Sequence, residues 1–250
     1  GDVLMLENLR FQAGEEANDP VFAAQLAALG DIYVGDAFSC THRAHASVEA
    51  LPRMMQTVAA GRALGAELSA LHHALSVPDR PVAAVVGGAK VSTKLSVLEN
   101  LVKQMDVLVL GGGMANTFLL AAGQDIGASF VEADMTDTVS AIAKSAAKHG
   151  CQLILPVDYC VASALQPGVP TRIVSARDIK AEDMILDAGP ESTKAAIAAL
   201  ADCRTLVWNG PMGAFEIPPF DSATNDLARA VADRTAAGTL LSVAGGGDTL

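Results

Sequence analysis

Short, fully apolar runs alternate with amphipathic helical segments over much of the chain. Val82–Val86 and Val107–Leu110 are continuous apolar runs that end at glycines, and helical periodicity follows each of them. Strands without polar alternation are typical of a parallel sheet covered by helices on both faces. The pattern therefore predicts an α/β fold in which a parallel sheet forms the middle of three layers.

The same pattern predicts the other elements. Further strands are expected at residues 3–6, 32–34, 153–155, 184–186, 206–208 and 240–243. Helices are expected at residues 21–29, 62–76, 92–103, 115–122, 136–148, 190–201 and 222–237. Residues 160–183 are expected to be irregular and polar. The Pro-Asp-Arg-Pro sequence at residues 78–81 marks the best candidate for a domain boundary.

Glycines follow the predicted strands repeatedly, at residues 87–88, 111–113, 189, 210 and 245–247. Ligands of open α/β sheets bind outside the carboxyl ends of the strands. Glycine at such an edge allows the backbone to approach a ligand closely. The repetition predicts a rim that binds a phosphate or a nucleotide.

Composition and charge argue against several classes of function. The 250 residues include 17 Lys+Arg and 28 Asp+Glu, which gives a net charge of -11. This acidity argues against a nucleic-acid or anionic membrane surface, so a few placed cations or backbone N–H groups must hold any anionic substrate. The four scattered cysteines form no C-x-x-C pair, which predicts a reduced, cytoplasmic protein.

Lys90 and Lys94 are the first candidate binding residues. They lie four residues apart after a glycine turn, and such a helix face suits polyphosphate. The alternative is a pair of solvated helix lysines. Neither a P-loop nor a G-x-G-x-x-G motif is present, so a dinucleotide fold has little support.

Two later segments carry further candidates. Asp248, after three glycines, suits Mg²⁺ beside a phosphate, although an aspartate there also caps a helix well. Trp208 to Glu216 combines apolar groups, glycines and a carboxylate, which suits a nucleoside pocket with Glu216 accepting from ribose hydroxyls. For Trp208 itself, packing in the core is the favoured interpretation.

Arg10 and Arg43 each lie near a predicted strand of this acidic chain. A guanidinium group matches the geometry of carboxylates and phosphates, so both are candidate substrate anchors. The alternative is surface ion pairing with Glu7, Glu15 or Asp36.

Taken together, the motifs resemble those of phosphoglycerate kinase of the bacterial type. The matching runs, in order, are LENLRF at 6–11, GDAF at 35–38, HRAHAS at 42–47, GGAKVSTK at 87–94, GGGM at 111–114, LPVD at 155–158, GPES at 189–192, WNGP at 208–211 and GGGDT at 245–249. They occur in the order of the family and cover nearly the whole chain.

The resemblance implies a two-domain fold of Rossmann-like, three-layer parallel sheets, with both domains incomplete. Residues 1–60 would belong to the phosphoglycerate-binding domain, 61–80 to the interdomain helix and hinge, and 81–250 to the nucleotide-binding domain. The implied activity is a cytoplasmic, Mg²⁺-dependent kinase of glycolysis and gluconeogenesis. It would move phosphate between 1,3-bisphosphoglycerate and ADP, giving 3-phosphoglycerate and ATP. A monomer with no nucleic-acid or membrane partner is implied, although an unfinished sheet edge would favour self-association.

The resemblance also implies roles for individual residues. Arg10 and Arg43 would bind the phosphoglycerate, and Lys90 and Arg43 would be catalytic, with Lys90 stabilising the transferred phosphoryl group. Asp248 would hold the metal. The nucleotide would be bound by Gly88, Lys90, Lys94, Gly112, Gly113, Gly189, Asn209, Pro211, Glu216, Gly247, Asp248 and Thr249.

Several segments of the family pattern are missing from this sequence. R-V-D-x-N and S-H-x-G-R-P, which carry much of the glycerate site, do not occur, and neither does the later T-G-G-G. We therefore expect the 250-residue chain alone to show no turnover and to bind nucleotide weakly. A noncatalytic nucleotide-binding module is the alternative, and a Rossmann dehydrogenase is a further one that the missing glycine motif disfavours.

Overall fold

The computed structural model describes residues 2–246. The chain divides into two compact units, Gly1–His73 and Ala74–Leu250. Within the described residues, no helix is both long and apolar enough to cross a membrane.

The first unit contains short helices and one small sheet. Its main elements are α1 (Ala13–Glu16), α2 (Pro20–Ala27), β1 (Ile32–Gly35), α3 (Leu51–Met54), β2 (Thr57–Ala60) and the start of α4 (Arg62–Leu75). The carboxylate of Asp19 accepts from the N–H groups of Val21 and Phe22, which confirms it as the cap of α2. Strands β1 and β2 pair in parallel, and β2 was not predicted.

The second unit is built on a five-stranded parallel sheet. Its strands are β3 (Val82–Val86), β4 (Val107–Leu110), β5 (Gln152–Ile154), β9 (Thr205–Asn209) and β10 (Leu241–Gly245), in the spatial order β10-β9-β3-β4-β5. The helices are α5 (Leu95–Gln104), α6 (Gly112–Ala121), α7 (Thr136–His149), α8 (Pro190–Leu200) and α9 (Ser222–Ala236).

Alternate residues of the central strand show that helices cover both faces of the sheet. Val82, Ala84 and Val86 are fully buried in a core with side chains of α5, α6 and α7. Ala83 and Val85 are buried on the opposite face with side chains of α8 and α9. The predicted three-layer arrangement is therefore confirmed for this unit.

A second, three-stranded sheet corrects two expectations. It consists of β6 (Asp158–Ala162), β7 (Arg172–Ser175) and β8 (Met184–Ala188), with β6 in the middle and both pairings antiparallel. Residues 160–183 are thus not wholly irregular, and the strand predicted at 184–186 lies outside the parallel sheet. The predicted strand at 3–6 was also wrong, because those residues are exposed and pair with no strand in the described part of the chain.

The first unit exposes many apolar side chains for its size. Ile32 is 62% exposed and Val34 is 56% exposed, and both project from the same face of β1. Exposed apolar patches on soluble proteins tend to mediate association.

We predict that the 250-residue chain self-associates through this face. Because two lysines would make that face cationic, Ile32→Lys with Val34→Lys should shift the chain to monomer in sedimentation velocity. Val97→Lys is the matched control, since Val97 is an exposed apolar residue of α5 in the second unit, and it should leave the association unchanged. A monomeric wild-type chain across the concentration series would contradict the prediction.

Candidate functional site

Three glycine turns pack against one another at the carboxyl ends of β3, β4 and β9. The N–H of Gly87 donates to the carbonyl of Asn209 at 3.0 Å. The N–H of Gly112 donates to the carbonyl of Met212 at 2.7 Å. These bonds join turns that lie far apart in the sequence, so the rim is held together by its own backbone.

The glycines are needed first for this packing of turn on turn. A Cβ atom at Gly87 would overlap the carbonyl oxygen of Pro211. Gly112 has a φ of +68°, and a Cβ atom there would lie 2.7 Å from the carbonyl oxygen of Gly88. The sequence predicted where the glycines cluster, and the reason expected for glycine there was the close approach of a ligand. The structure adds a contact between backbones, which a side chain would prevent.

Lys94 joins two of these strands. Its Nζ donates to the carbonyl of Gly87 at 2.7 Å, to the carbonyl of Asn209 at 3.0 Å and to Oδ1 of Asn209 at 2.5 Å. The Nδ2 of Asn209 in turn donates to the carbonyl of Gly245 at 3.2 Å. We call this group the lysine clamp. It brings together two predicted binding residues and connects the ends of β3, β9 and β10.

A cavity of about 510 Å³ lies beside the rim. Five of the predicted nucleotide-binding residues line it, namely Gly88, Gly112, Gly113, Pro211 and Glu216. Much of the remaining wall is apolar, including Phe130, Leu186 and Met212. Mostly apolar walls with a few polar groups are typical of a small-molecule site.

Other predicted residues lie outside that wall. Gly189 follows β8 of the antiparallel sheet and is not equivalent to the glycines after the parallel strands. Lys90 is exposed, and Lys94 and Asn209 form the clamp rather than the wall. Gly247, Asp248 and Thr249 lie outside the described residues.

The two arginines of the first unit are both exposed. Neither guanidinium group forms an ion pair with any residue in the described range 2–246, so the predicted surface pairs are not seen there. Glu15 instead accepts from Ser47, and Asp36 accepts from the N–H of Leu64. The guanidinium groups of Arg10 and Arg43 are thus open to solvent.

Asp187 is a wall residue that the sequence reasoning missed. Its carboxylate is only 2% exposed and accepts from the N–H groups of Ala188 at 2.9 Å and Ala223 at 3.0 Å. Burial, with a smaller contribution from the charge of Asp221, raises the pKa of Asp187 to about 7, against the lowering effect of those hydrogen bonds. An acidic residue at the end of an otherwise apolar strand was the one available signal.

No metal centre is evident within residues 2–246, because no group of three or more His, Cys, Asp or Glu side chains there is arranged to hold an ion.

A sequence model of the family described as phosphoglycerate kinase matches residues 1–250. The chain belongs to the phosphoglycerate kinase family. It is 58% identical over 248 residues to the phosphoglycerate kinase of Dinoroseobacter shibae, which covers 99% of this chain and 63% of that protein. It is 56% identical over 250 residues to the phosphoglycerate kinase of Rhizorhabdus wittichii, covering 100% of this chain and 63% of that protein. The chain thus spans a little under two thirds of these relatives.

Solved phosphoglycerate kinase structures share the fold. The structure of phosphoglycerate kinase from Coxiella burnetii matches with a TM-score of 0.84 and 41% identity, covering 97% of this chain and 61% of that one. The enzyme from Pyrococcus horikoshii matches with a TM-score of 0.79 and 28% identity, covering 98% of this chain and 62% of that one. The expected phosphoglycerate kinase-like α/β fold is therefore confirmed, and the dehydrogenase alternative is set aside.

The packing of the turns predicts that two glycine substitutions lower the free energy of unfolding by different amounts. Gly87→Ala should lower the free energy of unfolding of the second unit by about 3 kcal/mol, because its Cβ overlaps backbone that cannot rotate away. Gly168→Ala, where φ is +75° and no atom lies within 4 Å, should cost only about 1 kcal/mol. Urea unfolding followed by the fluorescence of Trp208, the single tryptophan, measures both. Equal costs would contradict this account of Gly87.

Asp187 predicts a pH dependence of stability. The pKa of Asp187 in the folded chain lies above the unfolded value of 3.8. Its contribution to the free energy of unfolding is therefore complete below about pH 4 and is lost as the pH rises to about 7. The loss amounts to as much as roughly 4 kcal/mol. Asp187→Asn should flatten the fall in unfolding free energy across this range in urea titrations at several pH values. Asp134→Asn, at an exposed aspartate, is the control and should keep the wild-type profile.

Proposed function

We propose that this chain is the nucleotide-binding part, with a portion of the phosphoglycerate-binding part, of a cytoplasmic, glycolytic phosphoglycerate kinase. The observation that carries the proposal is the cavity, since five residues assigned to the nucleotide by motif line one wall beside the lysine clamp. Family membership and the naming of the relatives support the same activity. The domain limits proposed are residues 1–60, 61–80 and 81–250.

The proposed reaction transfers a phosphoryl group from 1,3-bisphosphoglycerate to ADP. A terminal oxygen of ADP attacks the acyl phosphorus, the bond from phosphorus to the acyl oxygen breaks, and the carboxylate of 3-phosphoglycerate leaves. Such a transfer depends on positioning and on neutralising charge rather than on covalent help from the protein. The chain's cationic side chains and backbone N–H groups supply both.

Individual roles follow from position and charge. The apolar wall with Gly88, Gly112 and Gly113 would take the adenine, and Glu216 would accept from the ribose hydroxyls. Lys94 and Asn209 would lie by the nucleotide phosphates, and the exposed Lys90 would reach the transferred group.

The remaining assignments are proposals from motif and charge. Gly189, Pro211, Gly247 and Thr249 would complete the nucleotide site. The open guanidinium groups of Arg10 and Arg43 would bind the phosphoglycerate, with Arg43 also acting in catalysis.

Mg²⁺ is proposed as the metal that accompanies the nucleotide. A carboxylate beside substrate phosphates is the donor set that Mg²⁺ prefers, and Asp248 would provide it. When bound, the ion supplies positive charge to the phosphate oxygens. The complete kinase is proposed to act as a monomer, in contrast to the self-association expected of the 250-residue chain alone.

We expect Mg²⁺-ADP, but not NADH, to bind the 250-residue chain in isothermal titration calorimetry. Glu216→Gln should weaken ADP binding about tenfold, because a charge-assisted hydrogen bond to the ribose is lost. Glu99→Gln removes the same charge from an exposed position on α5 and serves as the control. Binding of NADH with no binding of ADP would overturn the proposed function.

A further inference from the structure

The carboxylate of Glu132 accepts two hydrogen bonds from Ser92, which lies between the two candidate lysines. Oε2 of Glu132 accepts from the N–H of Ser92 at 3.1 Å, and Oε1 accepts from the hydroxyl of Ser92 at 2.5 Å. Ser92 lies two residues after Lys90 and two before Lys94. Glu132 is 40 residues away in the sequence, so the contact is a tertiary one.

Glu132 is itself fixed to the second unit. Its own N–H donates to Oγ1 of Thr117 at 3.2 Å, and Thr117 is 1% exposed within α6. The path from Thr117 through Glu132 to Ser92 therefore connects a buried helix to the exposed lysine-bearing turn.

The turn is also closed internally, so the two lysines move with it. The hydroxyl of Thr93 donates to the carbonyl of Lys90 at 2.9 Å, and the N–H of Lys94 donates to the carbonyl of Val91 at 2.9 Å. A displacement of Ser92 is transmitted through these bonds to both lysine backbones. The Lys94 ammonium group is held by the lysine clamp, so the position of Glu132 mainly influences where the Lys90 ammonium group can reach.

Charge supports the same arrangement. Burial alone would raise the pKa of Glu132, but hydrogen bonds from Ser92 and from the N–H of Val91, together with the charge of Lys90, hold that pKa below its usual value. The carboxylate is thus ionised at neutral pH. Lys90 forms no ion pair within 4.0 Å among residues 2–246. The charge of Glu132 therefore attracts the ammonium group of Lys90 without a direct contact that would fix its position.

We propose that Glu132 is a positioning residue for Lys90, and that it acts through Ser92 to hold the Lys90 ammonium group ready for the phosphates of a nucleoside diphosphate. This inference rests on the proposed function. It assigns Glu132 to the phosphate end of the ligand and not to the nucleoside end, because Glu132 is not part of the cavity wall. That distinction provides the test.

The test compares two ligands that differ only in their phosphates. In calorimetry on the 250-residue chain, Glu132→Gln should weaken Mg²⁺-ADP binding about tenfold, because one oxygen can no longer accept from Ser92. Adenosine binding should change less than about twofold, since a nucleoside does not reach the lysines. Glu99→Gln is the matched control for the lost charge, and Trp208 fluorescence verifies folding.

A double-mutant cycle shows whether the effect passes through Ser92. Ser92→Ala should also weaken ADP about tenfold, and the double variant should be no weaker than either single variant. Equal losses for ADP and adenosine, no loss at all, or additive losses would each overturn the inference alone. Failure of the unmodified chain to bind ADP would overturn the proposed function first, and this inference with it.

Discussion

The site depends on the hydrogen bonds that the ammonium group of Lys94 donates. This group bonds to carbonyl oxygens at the ends of two neighbouring parallel strands, and its partner Asn209 lies 115 residues further along the chain. A carbonyl oxygen has two lone pairs, so the carbonyls where a parallel ladder stops can each accept from a partly buried cation, and one cation can bond to several of them at once. The turns that follow these strands then have fixed starting points, so they can pack closely enough to form one wall of the cavity.

The sequence was most informative where burial on both faces removes polar alternation. Val82–Val86 and Val107–Leu110 were predicted with the bounds that the structure has. The outer strand Arg172–Ser175 of the antiparallel sheet was missed because most of its residues are exposed. A strand of that kind is defined by its pairing partner rather than by its own pattern. The run at residues 3–6 shows the converse, since apolar residues alone do not make a strand without a neighbour.

The site residues likewise divide into those that local sequence motifs reveal and those that only the folded structure reveals. The glycines and lysines could be found because local motifs carry them, and Gly88, Gly112, Gly113, Pro211 and Glu216 do meet in one wall. Asp187 had one local signal, its place at the end of an apolar strand, but its role and that of Glu132 arise from contacts made only after folding. The carboxylate of Asp187 caps the start of α9 from 36 residues away, and nothing near it in the sequence signals that contact.

The wall of the cavity is shared between two sheets. Met184 to Ala188 belong to the antiparallel sheet, whereas Gly88, Gly112 and Pro211 follow strands of the parallel one. A ligand that fills the space contacts both. Occupancy of the cavity would therefore couple the local opening of the antiparallel sheet to that of the parallel one.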